Sequence, residues 1–355
     1  MKAWGDETRM KQLVAVIAGL GLIAILAQPA LTQDRVPGST IRERIEKRME
    51  NRRLERAPRL GGSAAWAPGT GHESIVVKGQ PRTFVRYTPS SVLVSGKKAP
   101  VVFALHGAKG TADRLQSYLG LNPVADREGF VVVYPQGENN RWNDGRVAAV
   151  KADGQTSDAE DIAFLNGLAD ALIAQGVADP KRLYLMGVSN GGFMTLALAC
   201  NPAARFAAFG AVIASIPAGA QAACQPGRPV PVVMINGTDD EIIRFDGAPG
   251  KFGVSGNLPP LEAAKSFASL SGCTTEKEMG VPGPGPQDGT AVSLHAWGGC
   301  QPGGATEFYA IKGGGHQPPS KSSRPLVGAV LETYLGTRSL ALDTAETMWS
   351  FFKRF

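Results

Sequence analysis

The chain has 355 residues, 43% of them hydrophobic, with 44 glycines and 25 prolines. That is enough to bury a full core in one catalytic-size domain with short, well-defined connections. The formal net charge is +6, but much of the excess lies in one N-terminal segment and no basic face interleaved with aromatics follows it, which excludes nucleic acid as a partner.

The first residues carry Lys2, Arg9 and Lys11, then the apolar run LVAVIAGLGLIAILA from Leu13 to Ala27, then small and polar residues. This is the pattern of a signal peptide over residues 1–32, cleaved between Ala27 and Gln33. The run falls short of the roughly 20 residues that a bilayer requires, so no stable membrane span is expected after cleavage. The expected destination is secreted or periplasmic, an oxidising compartment. There, Cys200, Cys224, Cys273 and Cys300 are expected to pair as disulfides. Sequence neighbours would join 200 with 224 and 273 with 300, one of three connectivities, each loop of about 25 residues stabilising by roughly 3 to 4 kcal/mol. No C-x-x-C is present, so a zinc site is not expected and the metal prediction is none.

Residues 33–62 include DRVPGSTIRERIEKRMENRRLERAPRLGG, almost without large apolar side chains. Thr40 and Glu43 form a capping box, and Ile41, Ile45 and Met49 repeat every four residues among charges of both signs. Arg42 to Arg56 holds seven basic and four acidic residues. The segment reads as a charged, partly helical linker, with attraction to an anionic surface as the functional alternative.

A globular pattern begins after residue 62 and runs to the end, 63–355. SIVVKGQPRTFVRYTP alternates like a hairpin with Gly79 and Gln80 near its turn. Buried-strand runs follow: APVVFAL (99–105), GFVVVYP (129–135), RLYLMG (182–187), FGAVIAS (209–215), VPVVMI (230–235) and EFYAIK (307–312). Strands apolar almost throughout imply a mainly parallel sheet covered by helices on both faces. AEDIAFLNGLADALIAQG (159–176) supplies a crossover helix through Ile162, Leu165, Leu168 and Leu172, with Asp161 capping or anchoring its start. The C-terminal LALDTAETMWSFFKRF places Leu342, Ala345, Met348, Trp349 and Phe352 on one helical face, to dock on the core. The class is α/β. There is no repeat, P-loop or G-x-G-x-x-G; Lys109 with Thr111 lacks the Walker glycines, so no nucleotide or other cofactor is expected.

Gly187-Val-Ser189-Asn-Gly191 sits where a buried strand ends and the helical run GFMTLALAC begins. That is the context of a nucleophile elbow: the turn is so sharp that Gly187 and Gly191 must be small, and the serine hydroxyl projects from the carboxyl edge of the sheet. A serine hydroxyl is a weak nucleophile and needs a histidine to take its proton and a carboxylate to orient that histidine. His72 precedes the first strand, His295 lies in SLHAW upstream of the last one, and His106 closes a strand in LHG. His316, in GGGHQPP on a glycine-rich loop after a strand, is the base. The carboxylate belongs between serine and histidine in the chain. NGTDDEIIRF offers Asp240, with Asp239 as a turn residue. Two amides should stabilise the oxyanion: that of Asn190, after the nucleophile, and that of Ala108 in ALHGAKGT, with Gly107 as the alternative. His106, Trp142 and Asn143 are candidates for the substrate cleft, with Trp142 packing under its own loop as the other reading.

In SIVVKGQPRTFVRYTP, VVFALHG, VVVYPQG with RWNDGR, DAEDIAFL, RLYLMGVSNGG, PVVMINGTDDEI and EFYAIKGGGH, taken in order, the chain resembles the exported serine esterases of the polyhydroxybutyrate depolymerase and feruloyl esterase type. The resemblance runs from about Glu73 to the end. It implies an α/β-hydrolase fold, action on carboxylic esters without a cofactor, the triad Ser189, Asp240 and His316, and a Cys273–Cys300 bridge. Pro318 stands where the family usually has a tryptophan, and its usual G-T-A-D-P reads GTDDE here. The expected partner is a small-molecule or oligomeric ester, such as a hydroxyalkanoate oligomer or a feruloyl-type ester. The other classes that fit are a serine peptidase and a non-catalytic, hydrolase-like module for polymers or glycans. Nothing in the sequence specifies an oligomeric state.

Overall fold

A computed structural model describes residues 44–45, 47–49, 51–52, 60–61, 67–146, 159–254, 256–281, 288–321 and 333–355. The signal peptide and the Thr40/Glu43 capping box lie outside them. The chain divides into two units, Met1–Arg48 and Met49–Phe355. In the first, Arg44, Ile45, Lys47 and Arg48 are helical and exposed; in the second, so are Met49, Asn51 and Arg52.

The strands are β1 (Leu60–Gly61), β2 (Gly69–Val77), β3 (Gln80–Thr88), β4 (Ala99–Leu105), β5 (Val131–Pro135), β6 (Ala178–Val188), β7 (Ala208–Val212), β8 (Pro231–Gly237), β9 (Thr275–Gly280), β10 (Ala291–Gly298) and β11 (Ala305–Lys312). They form one sheet in the order β1-β2-β3-β5-β4-β6-β7-β8-β11-β10-β9. The six from β5 to β11 in that order run parallel. Antiparallel β3, β2 and β1 extend one edge, and β10 and β9 the other. Every residue of β4, β5, β7 and β8 is buried, as double-sided cover requires.

Among the described residues, that cover comes from α1 (Ser90–Ser95), α2 (Ala112–Leu119), α3 (Leu121–Glu128), α4 (Asp161–Ala174), α5 (Asn190–Ala199), α6 (Pro260–Leu270) and α7 (Thr344–Phe352). Alternation along the strands sorts the core into two layers. Val101, Phe103 and Leu105 face α4, α5 and α6, whose Phe164, Leu168, Phe193 and Phe267 are fully buried. Val102 and Ala104 face the layer of α2, α3 and α7. The C-terminal helix docks as its pattern predicts: Trp349 stacks on Phe130 with ring centroids 4.1 Å apart, and Phe352 on Tyr184 at 5.1 Å. The fold is that of an α/β-hydrolase.

The hairpin turn falls on Lys78 and Gly79, both with positive φ (50° and 80°), one residue earlier than expected. Three strands were not anticipated. β1, at Leu60–Gly61 inside the expected linker, pairs antiparallel with β2. β9 is TEKEMG, nearly all exposed, and such charged edge strands lack the apolar alternation that marks a strand in sequence. Its partner β10 contains His295, whose Nδ1 lies 3.2 Å from Glu276 and whose ring stacks beside Trp297. The bridges are Cys200–Cys224 and Cys273–Cys300, the second closing the base of the β9–β10 hairpin.

Register places the functional loops. Leu105 is level with Gly187, Val188 with Val212, Val212 with Ile235, and Gly237 with Ile311. The segments after β4, β6, β8 and β11 therefore leave the same edge of the sheet, where open α/β sheets bind ligands.

Candidate active site

The elbow is built by exclusion of side chains. A Cβ on Gly187 would lie 2.1 Å from the Gly191 carbonyl oxygen, and one on Gly191 would lie 2.5 Å from that of Leu105. Between them Ser189 adopts φ 53°, ψ −119°, a strained conformation that only a tightly determined turn maintains. Its amide donates to the Val212 carbonyl at 2.9 Å, and its carbonyl accepts the first helical bond of α5 from Phe193 at 2.9 Å. The hydroxyl is left partly exposed at the strand end.

The same logic joins the loops after β8 and β11. A Cβ on Gly237 would strike the Gly314 carbonyl at 2.1 Å, while the Asp239 amide donates to that same carbonyl at 2.9 Å and the Gly313 amide to Thr238 Oγ1 at 2.9 Å. The Gly315 and His316 amides donate to the carbonyls of Thr337 and Leu335. The base loop is thus fixed from both sides.

Ser189, His316 and Asp240 meet in one chain of hydrogen bonds. Ser189 Oγ lies 2.9 Å from His316 Nε2, and His316 Nδ1 lies 2.7 Å from Asp240 Oδ2. In the neutral tautomer that this arrangement favours, Nδ1–H donates to the carboxylate and Nε2 accepts from the serine. Asp240 is 3% exposed, and its Oδ1 accepts the amides of Ile242 and Ile243, both at 2.8 Å. Asp239 points outward and accepts from Thr238 Oγ1, as a turn residue does.

Ala108 and Asn190 carry the proposed oxyanion amides. Among the described residues neither amide meets a protein acceptor, so both remain available to a ligand. Gly107 brings the β4 loop against the elbow: a Cβ there would lie 3.4 Å from Ser189 Cβ. Lys109 has φ 63° and donates its amide to the Asn140 carbonyl at 2.9 Å, and the Gly110 amide returns to Gly107 O at 3.0 Å.

The cleft expectation needs correction. His106 is 1% exposed and Trp142 3%, so neither ring reaches substrate. The His106 Nδ1–H donates to Gly107 O at 2.8 Å, and Nε2 accepts the Gly137 amide at 3.0 Å. Burial holds its pKa below the usual histidine value, against the opposing effect of the Gly107 carbonyl. Trp142 packs under its own loop, with Nε1–H donating to His106 O at 2.9 Å. Asn143 is exposed, but its side chain donates to the Ala159 carbonyl at 3.2 Å. Asp161 does not cap α4. It sits in the first turn, fully buried, accepting from Arg82 at 2.6 Å and from the Asn143 amide at 2.7 Å. Its role is to anchor the segment between β5 and α4.

Residues 83–248 match the family described as Esterase PHB depolymerase. The "Putative esterase NocK" of Nocardia uniformis subsp. tsuyamanensis is 27% identical over 281 residues, 76% of this chain and 80% of that protein. Feruloyl esterase B of Piromyces equi is 26% identical over 233 residues, 62% of this chain; the match spans only 40% of that longer relative. Among solved structures, the acetyl xylan esterase from Aspergillus awamori aligns with a TM-score of 0.48 at 15% identity, over 74% of this chain and 98% of that one. The chain is an esterase of the α/β-hydrolase fold, and its residues 83–248 are similar to the family described as Esterase PHB depolymerase.

Proposed function

We propose that the protein is an exported serine carboxylic ester hydrolase that works through an acyl-enzyme, with Ser189 as nucleophile, His316 as base and acid, and Asp240 as the group that orients and stabilises the imidazolium. The observation that carries this reading is the continuous chain Ser189 Oγ–His316–Asp240, with contacts of 2.9 and 2.7 Å, at the tip of a strained elbow. Its organisation is a leader over 1–32, a charged linker over 33–62 and the catalytic domain over 63–355. The two disulfides suit an oxidising compartment.

His316 Nε2 takes the hydroxyl proton as Ser189 Oγ attacks the ester carbonyl carbon. The Ala108 and Asn190 amides receive the developing oxyanion, each such donor contributing on the order of 3 to 4 kcal/mol in the transition state. The imidazolium then protonates the departing alkoxide, the acyl group remains on Ser189, and water repeats the sequence to release the acid. The substrate class is a small or oligomeric ester, of hydroxyalkanoate or feruloyl type. The names of the family and of the Piromyces equi relative support that range.

The test is p-nitrophenyl butyrate hydrolysis by the purified protein beside Ser189→Ala, with both exposed to a fluorophosphonate probe. Turnover and labelling by wild type, with neither in the variant, is the expected result. A folded wild type that neither turns over nor labels overturns the reading. Hydroxybutyrate oligomers and feruloyl sugars then divide the substrate class between them.

A further inference from the structure

Asn190 has a second connection that the reaction above does not use. Its side chain is 4% exposed and turned away from the serine, into the segment that follows β5. There it makes a paired contact with one residue's backbone: Asn190 Oδ1 accepts the Trp142 amide at 2.8 Å, and Nδ2 donates to the Trp142 carbonyl at 3.0 Å. The same Nδ2 donates to Asp144 Oδ2 at 2.6 Å. Asp144 is 4% exposed, and its carboxylate is neutralised by Arg146, with contacts of 2.9 Å from Nε and 2.5 Å from Nη2. The Arg146 guanidinium lies 3.9 Å over the ring of Phe193, one turn along α5 from Asn190.

The segment from Gln136 to Arg146 also grips the loop after β4. Trp142 Nε1 donates to His106 O, the Gly137 amide donates to His106 Nε2, and Asn140 O accepts the Lys109 amide. One strap therefore holds both walls of the oxyanion site, the start of α5 through the Asn190 side chain and the Ala108 loop through His106 and Lys109. A buried carboxamide has two orientations related by a flip, and only the one with Nδ2 toward Asp144 satisfies all three of its contacts.

We propose that Asp144 is a positioning residue for the oxyanion site: through the Asn190 carboxamide it fixes the first turn of α5 against the strap, and so sets the Asn190 N–H in register with the amide of the Ala108 loop. This rests on the esterase reading given above. Asp144 touches neither substrate nor the reacting atoms. Its effect belongs to the transition state, because the oxyanion forms only there, and a misplacement of about 1 Å is enough for a loss near a hundredfold.

The experiment compares wild type, Ser189→Ala, Asp144→Ala and Asp144→Asn on p-nitrophenyl butyrate and on the corresponding thionoester, in which C=S replaces C=O. Rates of wild type and the Asp144 variants are expressed per site titrated with a fluorophosphonate, so that misfolded protein is not counted, and that of Ser189→Ala, which has no such site, per mole of protein. An aligned pair of amides discriminates strongly against sulfur, a larger atom and a poorer acceptor; a misaligned pair does not. For Asp144→Ala, kcat on the oxoester should fall about tenfold to a hundredfold with KM within about twofold, and the oxo-to-thiono rate ratio should fall with it. Asp144→Asn keeps an acceptor for Asn190 Nδ2 and should recover part of both. If wild type is active, Ser189→Ala is not, and the Asp144 variants keep the wild-type oxo-to-thiono ratio, the inference fails while the esterase reading stands. An inactive, unlabelled wild type overturns both.

Discussion

Asp240 offers one carboxylate oxygen to His316 and the other to the amides of Ile242 and Ile243, so its position is fixed from three directions. A carboxamide in its place would have to point an NH2 group either at those two amides or at His316 Nδ1–H. It would favour the wrong tautomer of the base. Asp240→Asn should therefore lower kcat on p-nitrophenyl butyrate by about 10⁴-fold with the fold retained, and a loss under tenfold would remove Asp240 from the triad. Gly187→Ala acts differently, because the new methyl meets backbone, the Gly191 carbonyl at 2.1 Å. Backbone cannot step aside as a side chain can, so that variant should lose more than about 3 kcal/mol in urea unfolding. Ser189, Asp240 and His316, the residues of the proposed triad, could be singled out in the sequence because each sits just past an apolar run, in a loop rich in glycine or aspartate, and the structure brings them within hydrogen-bond distance. The roles of His106 and Asp144 were not legible there, and for Trp142 packing under its own loop was one of two open readings, the one the structure shows. Nothing in RWNDGR says that its indole faces inward to a carbonyl of LHG, or that its aspartate will neutralise Arg146 rather than meet solvent.

Among elements, the central strands could be read directly, since a strand covered on both sides must be apolar at every position. The edge could not. β9 and β10 carry Glu276, Lys277, Glu278 and His295, and they extend the sheet through β11 and the bridge across their base. The signal that was present is the pair of cysteines 27 positions apart. Removing that bridge frees a loop worth about 3 to 4 kcal/mol of unfolded-state entropy. Cys273→Ser/Cys300→Ser should thus lower the midpoint of thermal unfolding by several degrees. Ester hydrolysis at 25 °C should be retained, since the β8–β11 pairing that carries Asp240 and His316 is separate from the bridge. Equal Tm values for the two proteins would mean that the β9–β10 hairpin closes as readily without the bridge.

For the molecule as a whole, the pH dependence of folding should bear the mark of His106. Buried with both ring nitrogens engaged, it is held neutral, and burial lowers its pKa from 6.5. In the unfolded chain the same ring takes up a proton near pH 6.5, so below that pH the unfolded state binds more protons than the folded one. The sign follows: the contribution is whole above pH 6.5 and is lost as pH falls from there toward the folded-state pKa, at up to about 1.4 kcal/mol per pH unit. Carboxylates titrating in the same acid range contribute slopes of their own, which a single-site comparison cancels. His106→Gln keeps a donor and an acceptor but cannot ionise. Its stability relative to wild type should therefore improve steadily between pH 7 and pH 5 in urea unfolding, whatever the offset at pH 7. A difference constant across that range would show that His106 titrates alike in the folded and unfolded chain, and hence that the pocket between the β4 loop and the strap admits the protonated ring.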